Sequence, residues 1–229
     1  AVATLALAPA AYADRGTDGE VKLTFPQAVS IMNPYLSGGT KDIYAASMVL
    51  EPLAGLTPEG ELIPKLVTEI PTKENGGISE DMTSITWKLQ PGLLWSDGTP
   101  VTADDAVFTW QYCTAPDGGC AQGAYFEGVT NVEAIDASTI KVSFADAKPY
   151  PYSAFVGAQA PIIQAAQFKD CLGAKAPECT AANFGPVGTG PFVVKEFKPN
   201  DVVTFEANPN YRDAAKPAYS ILLPPPNVT

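Results

Sequence analysis

The stretch from Ile85 to Tyr112, ITWKLQPGLLWSDGTPVTADDAVFTWQY, decides how the rest of the chain is read. Ile85, Trp87 and Leu89 alternate with Thr86, Lys88 and Gln90, giving one apolar and one polar face, the pattern of a half-buried strand. Pro91-Gly92 turns the chain. Leu93, Leu94 and Trp95 then predict a second short strand, ending at Asp97-Gly98, a dipeptide suited to the positive φ of a tight turn. Thr102 and Asp105 form T-x-x-D, a capping-box signature, and Ala103, Ala106, Val107 and Trp110 share one face of the helix that starts there.

This order of strand, turn and capped helix resembles the extracytoplasmic solute-binding proteins of family 5, which serve ABC importers of oligopeptides, dipeptides, opines and nickel chelates. The family pattern stands here as Gly92-Leu93-Leu94-Trp95-Ser96-Asp97-Gly98-Thr99-Pro100, followed by Thr102-Ala103-Asp104-Asp105-Ala106-Val107-Phe108-Thr109-Trp110. A second match lies downstream, in Gly188-Thr189-Gly190-Pro191-Phe192 and Asn208-Pro209-Asn210-Tyr211. The resemblance implies an α/β chain with a periplasmic-binding-protein-like first lobe (class II, cluster C type) carrying an inserted extra subdomain, the second lobe missing. It divides the chain into a signal-peptide remnant at 1–13, a discontinuous and truncated first-lobe subdomain at 14–55 and 185–229, and an inserted subdomain at 56–184. The GTGP segment lacks both the Lys-[ST] of a P-loop and G-x-G-x-x-G, so it reads as a tight structural turn.

Composition narrows the function. The chain has 229 residues, 46% of them hydrophobic, which is enough for a substantial core. A net charge of -11 argues against nucleic acid or an anionic membrane surface as partner, because phosphate contacts need clustered Lys and Arg. The chain contains no His, which removes Ser-His-Asp and Cys-His catalysis and His-ligated zinc together. No pair of acids stands in a recognisable catalytic frame. No apolar run approaches the ~20 residues needed to span a bilayer. The four cysteines fall as Cys113 with Cys120 and Cys171 with Cys179. Four cysteines allow three connectivities; an exported chain and two locally spaced pairs favour two small closed loops. Metal ligation is the weaker rival, since neither spacing is C-x-x-C.

Residues 1–13, AVATLALAPAAYA, end in the A-x-A form cut by signal peptidase, predicting export before Asp14. The chain is expected to begin inside its own targeting segment and to stop before the second lobe, with Pro224-Pro225-Pro226 unable to continue a strand ladder. Elsewhere Val21, Leu23 and Phe25 predict a first strand closed by Pro26. Thr40 is expected to cap a helix with Ile43, Ala46 and Leu50 on its apolar side and Asp42 in its first turn. Hairpins are expected over 53–66 and 129–144, and a helical stretch over 152–168 whose second part begins at Pro161.

The loop Asn33 to Asp42 is the candidate ligand site. Its glycines precede a helix whose positive end suits a carboxylate, which places Asn33, Ser37, Gly38, Gly39 and Thr40 near a solute. The resemblance adds Tyr125 and Phe126, aromatic residues in a region that often lies near the ligand. It implies a monomeric, soluble, periplasmic binding component without cofactor or metal, capturing a peptide or opine-like solute between two lobes and delivering it to an ABC permease. Glutathione and nickel chelates fall within the same range of solutes. An exported carboxylate-dependent hydrolase and a non-transport chemosensory module are the alternatives.

Overall fold

The computed structural model describes residues 19–213 and 220–223; the expected signal segment and the Pro224-Pro225-Pro226 run lie outside the described residues. The chain runs through β1 (Glu20–Lys22), α1 (Thr40–Ala46), β2 (Ala54–Leu56), β3 (Leu62–Pro64), β4 (Ser84–Lys88), α2 (Ala103–Thr114), β5 (Val129–Asp136) and β6 (Thr139–Phe144). It continues through α3 (Ala165–Phe168), α4 (Thr180–Phe184), β7 (Phe192–Phe197), β8 (Val203–Ala207) and β9 (Ser220–Leu223). One sheet has the order β1-β9-β8-β7, in which β1 and β9 are parallel and the other pairs antiparallel. A second has the order β4-β6-β5, all antiparallel, and β2 pairs with β3 as a separate hairpin.

The alternation at Ile85 and Trp87 does what a half-buried strand requires. Both side chains are buried, and Trp87 faces Ile140 across the β4–β6 ladder. The expected hairpin face of Ile140, Val142 and Phe144 is buried in the same large core. A smaller core, built from Val29, Met32, Ala45, Val49, Phe192, Val203 and Phe205, lies against the β7–β8 hairpin.

Several local expectations give way to tertiary contacts. The Leu93–Trp95 run is a closed loop rather than a strand: Trp95 N donates to Thr99 O at 2.8 Å and Val101 N to Leu93 O at 3.1 Å, with one isolated bridge between Leu94 and Pro100. The first strand stops at Lys22 because its ladder with β9 has three pairs; Leu23 and Phe25 pack beside the smaller core. Gly39, not Thr40, caps α1, accepting Asp42 N and Ile43 N on its carbonyl. That helix ends at Ala46, short of Leu50. In α2 the buried positions are Ala103, Asp105, Ala106, Thr109, Tyr112 and Cys113, so two polar residues belong to the inward face while Val107 and Trp110 are half-buried.

The largest departure is at 152–168, where only α3 is helical. Its first part spends its backbone groups on the segment before β2: Leu53 N donates to Phe155 O at 2.9 Å, Gly157 N to Ala54 O at 2.9 Å and Ile162 N to Glu51 O at 3.0 Å. Phe155 is fully buried at a φ of 62°, a left-handed conformation that a non-glycine residue holds only where packing dictates it.

Candidate functional site

The loop before α1 is organised by one carboxylate. Asp42 is buried and accepts hydrogen bonds from Ser30 N at 2.7 Å, Ser30 Oγ at 2.9 Å and Ser37 Oγ at 2.7 Å, with Lys41 Nζ at 2.9 Å from both oxygens. Burial acts to raise the pKa of Asp42, but the hydrogen bonds from Ser37, Lys41 and Ser30 outweigh it and hold the carboxyl below its ordinary value. A helix of seven residues whose first turn already holds its own anion leaves little field for a solute carboxylate.

Both disulfides bear on this loop. Cys113 is bonded to Cys120 and Cys171 to Cys179. Just past the first bridge, Ala121 N donates to Tyr35 O at 2.8 Å, and Gln122 Nε2 donates to Pro34 O at 3.2 Å and Ser37 O at 2.9 Å. Just past the second, Asn183 Oδ1 accepts from Asn33 Nδ2 at 2.9 Å and Asn183 O from Met32 N at 2.9 Å. The tight loops closed by the bridges thus deliver the side chains that clamp residues 32–37.

The residues singled out in the sequence separate into groups. Asn33 is buried, with Nδ2 donating to Tyr112 Oη and Asn183 Oδ1 and Oδ1 accepting Tyr35 N, so its polar atoms are committed to the fold. Burial pushes the Tyr112 hydroxyl up to about 12, which keeps it a neutral acceptor for Asn33. Phe126 is buried among Tyr35 and Phe155, with ring centroids 6.3 and 5.2 Å away. Ser37 and Gly39 are half-buried, Ser37 Oγ accepting Gly39 N at 3.0 Å. Gly38 and Thr40 are exposed and Tyr125 half-buried.

None of these seven lines the cleft beside the second half of α1. That cleft, of about 580 Å³, lies where the second half of α1, the β2–β3 hairpin, the 157–159 loop and the end of the Gly188–Tyr211 segment meet, a size suited to a small solute. Tyr44, Leu56, Lys65, Gln159 and Tyr211 are among its lining residues, with Glu51 at its edge. Two of its large side chains, Tyr44 and Leu56, are 56% and 52% exposed, which no local pattern in the sequence marks. Gly38 to Thr40 stand at the other end of α1, roughly 10 Å away along the helix axis. Among the described residues, no three Cys, Asp or Glu side chains gather as a metal would need.

Glycine shapes the cleft wall from behind. A Cβ on Gly188 would meet Val49 O at 2.0 Å, and one on Gly190 would meet Met48 O at 2.7 Å. The GTGP turn is pressed onto the end of α1, where Gly190 N donates to Val49 O at 2.8 Å and Phe192 N to Met48 O at 3.2 Å. Past β8, Arg212 reaches back to Glu51 through Nη1 at 2.6 Å and Nη2 at 2.9 Å, and Nη2 also holds Lys65 O at 3.1 Å.

Among solved structures, Haemophilus influenzae OppA in complex with the peptide RPPGFSPFR superposes with a TM-score of 0.76 at 22% identity, over 91% of this chain and 42% of that one. The chain therefore has a periplasmic-binding-protein fold. Residues 61–221 match the model of the bacterial extracellular solute-binding proteins, family 5 (middle), and the chain belongs to that family. Relatives include the periplasmic oligopeptide-binding protein OppA of Salmonella typhimurium, 28% identical over 66% of this chain, and the periplasmic murein peptide-binding protein MppA of Escherichia coli, 27% identical over 81%. The chain spans 31% and 35% of those two relatives' lengths.

Proposed function

We propose that this chain is the solute-capturing first lobe of an extracytoplasmic binding protein feeding an ABC importer, and that it performs no chemistry of its own. The match of residues 61–221 to the bacterial extracellular solute-binding proteins of family 5 is the observation that carries this reading. The relatives point to peptides as the solute class, through an oligopeptide-binding and a murein peptide-binding protein. On this reading a second lobe closes over the cleft, satisfying the solute's polar groups from both sides and expelling water.

Within the lobe we assign residues 14–55 and 185–229 to one subdomain and 56–184 to an insertion. Support comes from the sheet of β1, β7, β8 and β9, which joins the two ends of the chain, and from the separate β4-β6-β5 sheet. The boundary near residue 55 falls within β2. Of the residues first read as ligand contacts, Gly38 and Thr40 are exposed and Ser37, Gly39 and Tyr125 half-buried, so the loop before α1 offers a second surface to a solute, while Asn33 and Phe126 hold that loop. The protein works as an exported monomer beside its permease; among the described residues no helix is long and apolar enough to cross a membrane.

The direct test is mass spectrometry of small molecules that co-purify with the protein, followed by calorimetry with the identified solute. A retained peptide whose release and rebinding are stoichiometric is the expected result. Turnover of that peptide by the pure protein would instead support a hydrolase.

A further inference from the structure

Asn75-Gly76 is the one asparagine–glycine pair in the chain. It stands in the exposed turn before β4, and its side chain organises the loop around it. Asn75 Oδ1 accepts Thr72 N at 2.8 Å and Gly77 N at 3.0 Å, while Nδ2 donates to Ile70 O at 2.9 Å and Glu69 Oε2 at 3.2 Å. A side-chain amide has two acceptor sites and two donors, and all four are taken. The loop is wound tightly: a Cβ on Gly77 would stand 2.5 Å from Pro71 Cβ and 2.9 Å from Asn75 Oδ1. It is fastened to β4 through Gly77 O, which accepts Thr86 N at 2.7 Å.

An asparagine followed by glycine is open to an internal reaction, because the next residue has no Cβ to keep its backbone nitrogen from the side-chain carbonyl. The Gly76 nitrogen gives its proton to a base in solvent and bonds to Asn75 Cγ; the Cγ–Nδ2 bond breaks, ammonia leaves and a five-membered imide remains. Water then opens the ring at one of its two carbonyls, giving aspartate or isoaspartate. Overall one water enters, one ammonia leaves and no electrons are transferred. Two features of this loop bear on the step. The N–H groups of Thr72 and Gly77 address the oxygen on which negative charge builds as Cγ becomes tetrahedral. Gly76 N is held by Lys73 O at 3.1 Å, so the reaction waits on a local opening of an exposed turn and not on global unfolding.

We propose that Asn75 is the chain's site of spontaneous deamidation, and that the conversion unfastens the loop from Ile70 to Ile78. A carboxylate accepts hydrogen bonds and donates none, so both bonds made by Nδ2 are lost. The new charge then faces the Glu69 carboxylate, where a donor had been. The neighbouring Lys73 ammonium is engaged elsewhere, on Glu80 O at 3.3 Å. Isoaspartate adds a methylene to the main chain and breaks the spacing on which the Thr72 and Gly77 bonds depend. The inference stands apart from the solute-binding reading, since this loop shares no residue with the segment before α1.

The test has two arms. The full chain is held folded in mildly alkaline buffer, sampled with time and mapped by proteolysis and mass spectrometry. Asn75 is expected to be the first amide converted, with isoaspartate the larger product; conversion first at another asparagine, or none at Asn75, would overturn the assignment. In the second arm Asn75→Asp reproduces one product directly. Amides of residues 72–78 and Thr86 should exchange about tenfold faster, and the thermal midpoint should fall by about 2–4 °C. Adding Glu69→Gln puts a donor beside the new carboxylate and should recover most of both losses, while Glu69→Gln alone should leave exchange as in the native chain. Unchanged exchange in Asn75→Asp, or no recovery on adding Glu69→Gln, would show that the amide does not fasten the loop.

Discussion

Asp42 shows how one buried acid organises a loop in a way that its position in sequence disguises. Asp42→Asn keeps the shape but loses the charge that Lys41, Ser37 and two Ser30 donors address. A loss of about 2–3 kcal/mol is expected at neutral pH, measured by urea unfolding. Because the folded pKa is depressed, this stability is present above the unfolded value of ~3.9 and is lost as pH falls through the folded one. The gap between wild type and variant should therefore close in acid, and a gap that widens there would contradict the assignment. Asp105 plays a different part: it accepts Thr102 N at 2.9 Å, Ala165 N at 2.9 Å and Trp95 Nε1 at 3.2 Å, tying the turn, α2 and α3 together. Burial raises its pKa against those hydrogen bonds. Asp105→Ala should cost about 3 kcal/mol, well beyond the ~1 kcal/mol of a cap alone, because it orphans donors on three segments.

At the scale of elements, the GTGP turn and the disulfide loops are supports for the site. Gly190→Ala drives a methyl group into backbone carbonyls of Met48 and Val49, which cannot yield as a side chain would; a cost of about 3 kcal/mol or more is expected, visible as a lower thermal midpoint. The Cys113–Cys120 bridge spans a sequence separation of 7, a loop for which chain entropy gives about 2–3 kcal/mol. Replacing both residues by Ser should lower stability by that amount. It should also raise hydrogen exchange specifically over 33–42, because Ala121 and Gln122 hold that segment. Unchanged exchange there would show that the clamp does not depend on the bridge.

Across the whole molecule the two cores differ in size, and the large one contains Trp87, Ile140 and Val142 from adjoining strands. Native-state hydrogen exchange should find the slowest amides in the β4–β6 ladder and faster exchange in β1, whose parallel ladder has three pairs. Equal protection in both would mean that the chain opens only as one unit.

The sequence by itself determined the elements whose pattern is strong and local: the alternation at Ile85 and Trp87, the capped start of α2, the two-strand stretch at 129–144 and the glycines of the GTGP turn. Those patterns carry the family, because period and turn chemistry are properties of adjacent residues. It could not determine what residues distant in sequence do to one another. Segment 152–164 has no helix because its backbone bonds go to Glu51, Leu53 and Ala54, and the Asn33 amide is turned inward because Tyr112 and Asn183 accept from it. The cleft itself is made by residues from four parts of the chain, and Glu51 on its wall is paired with Arg212, far along the sequence. Pairing of that kind depends on the folded chain bringing charges together, which no local spacing records.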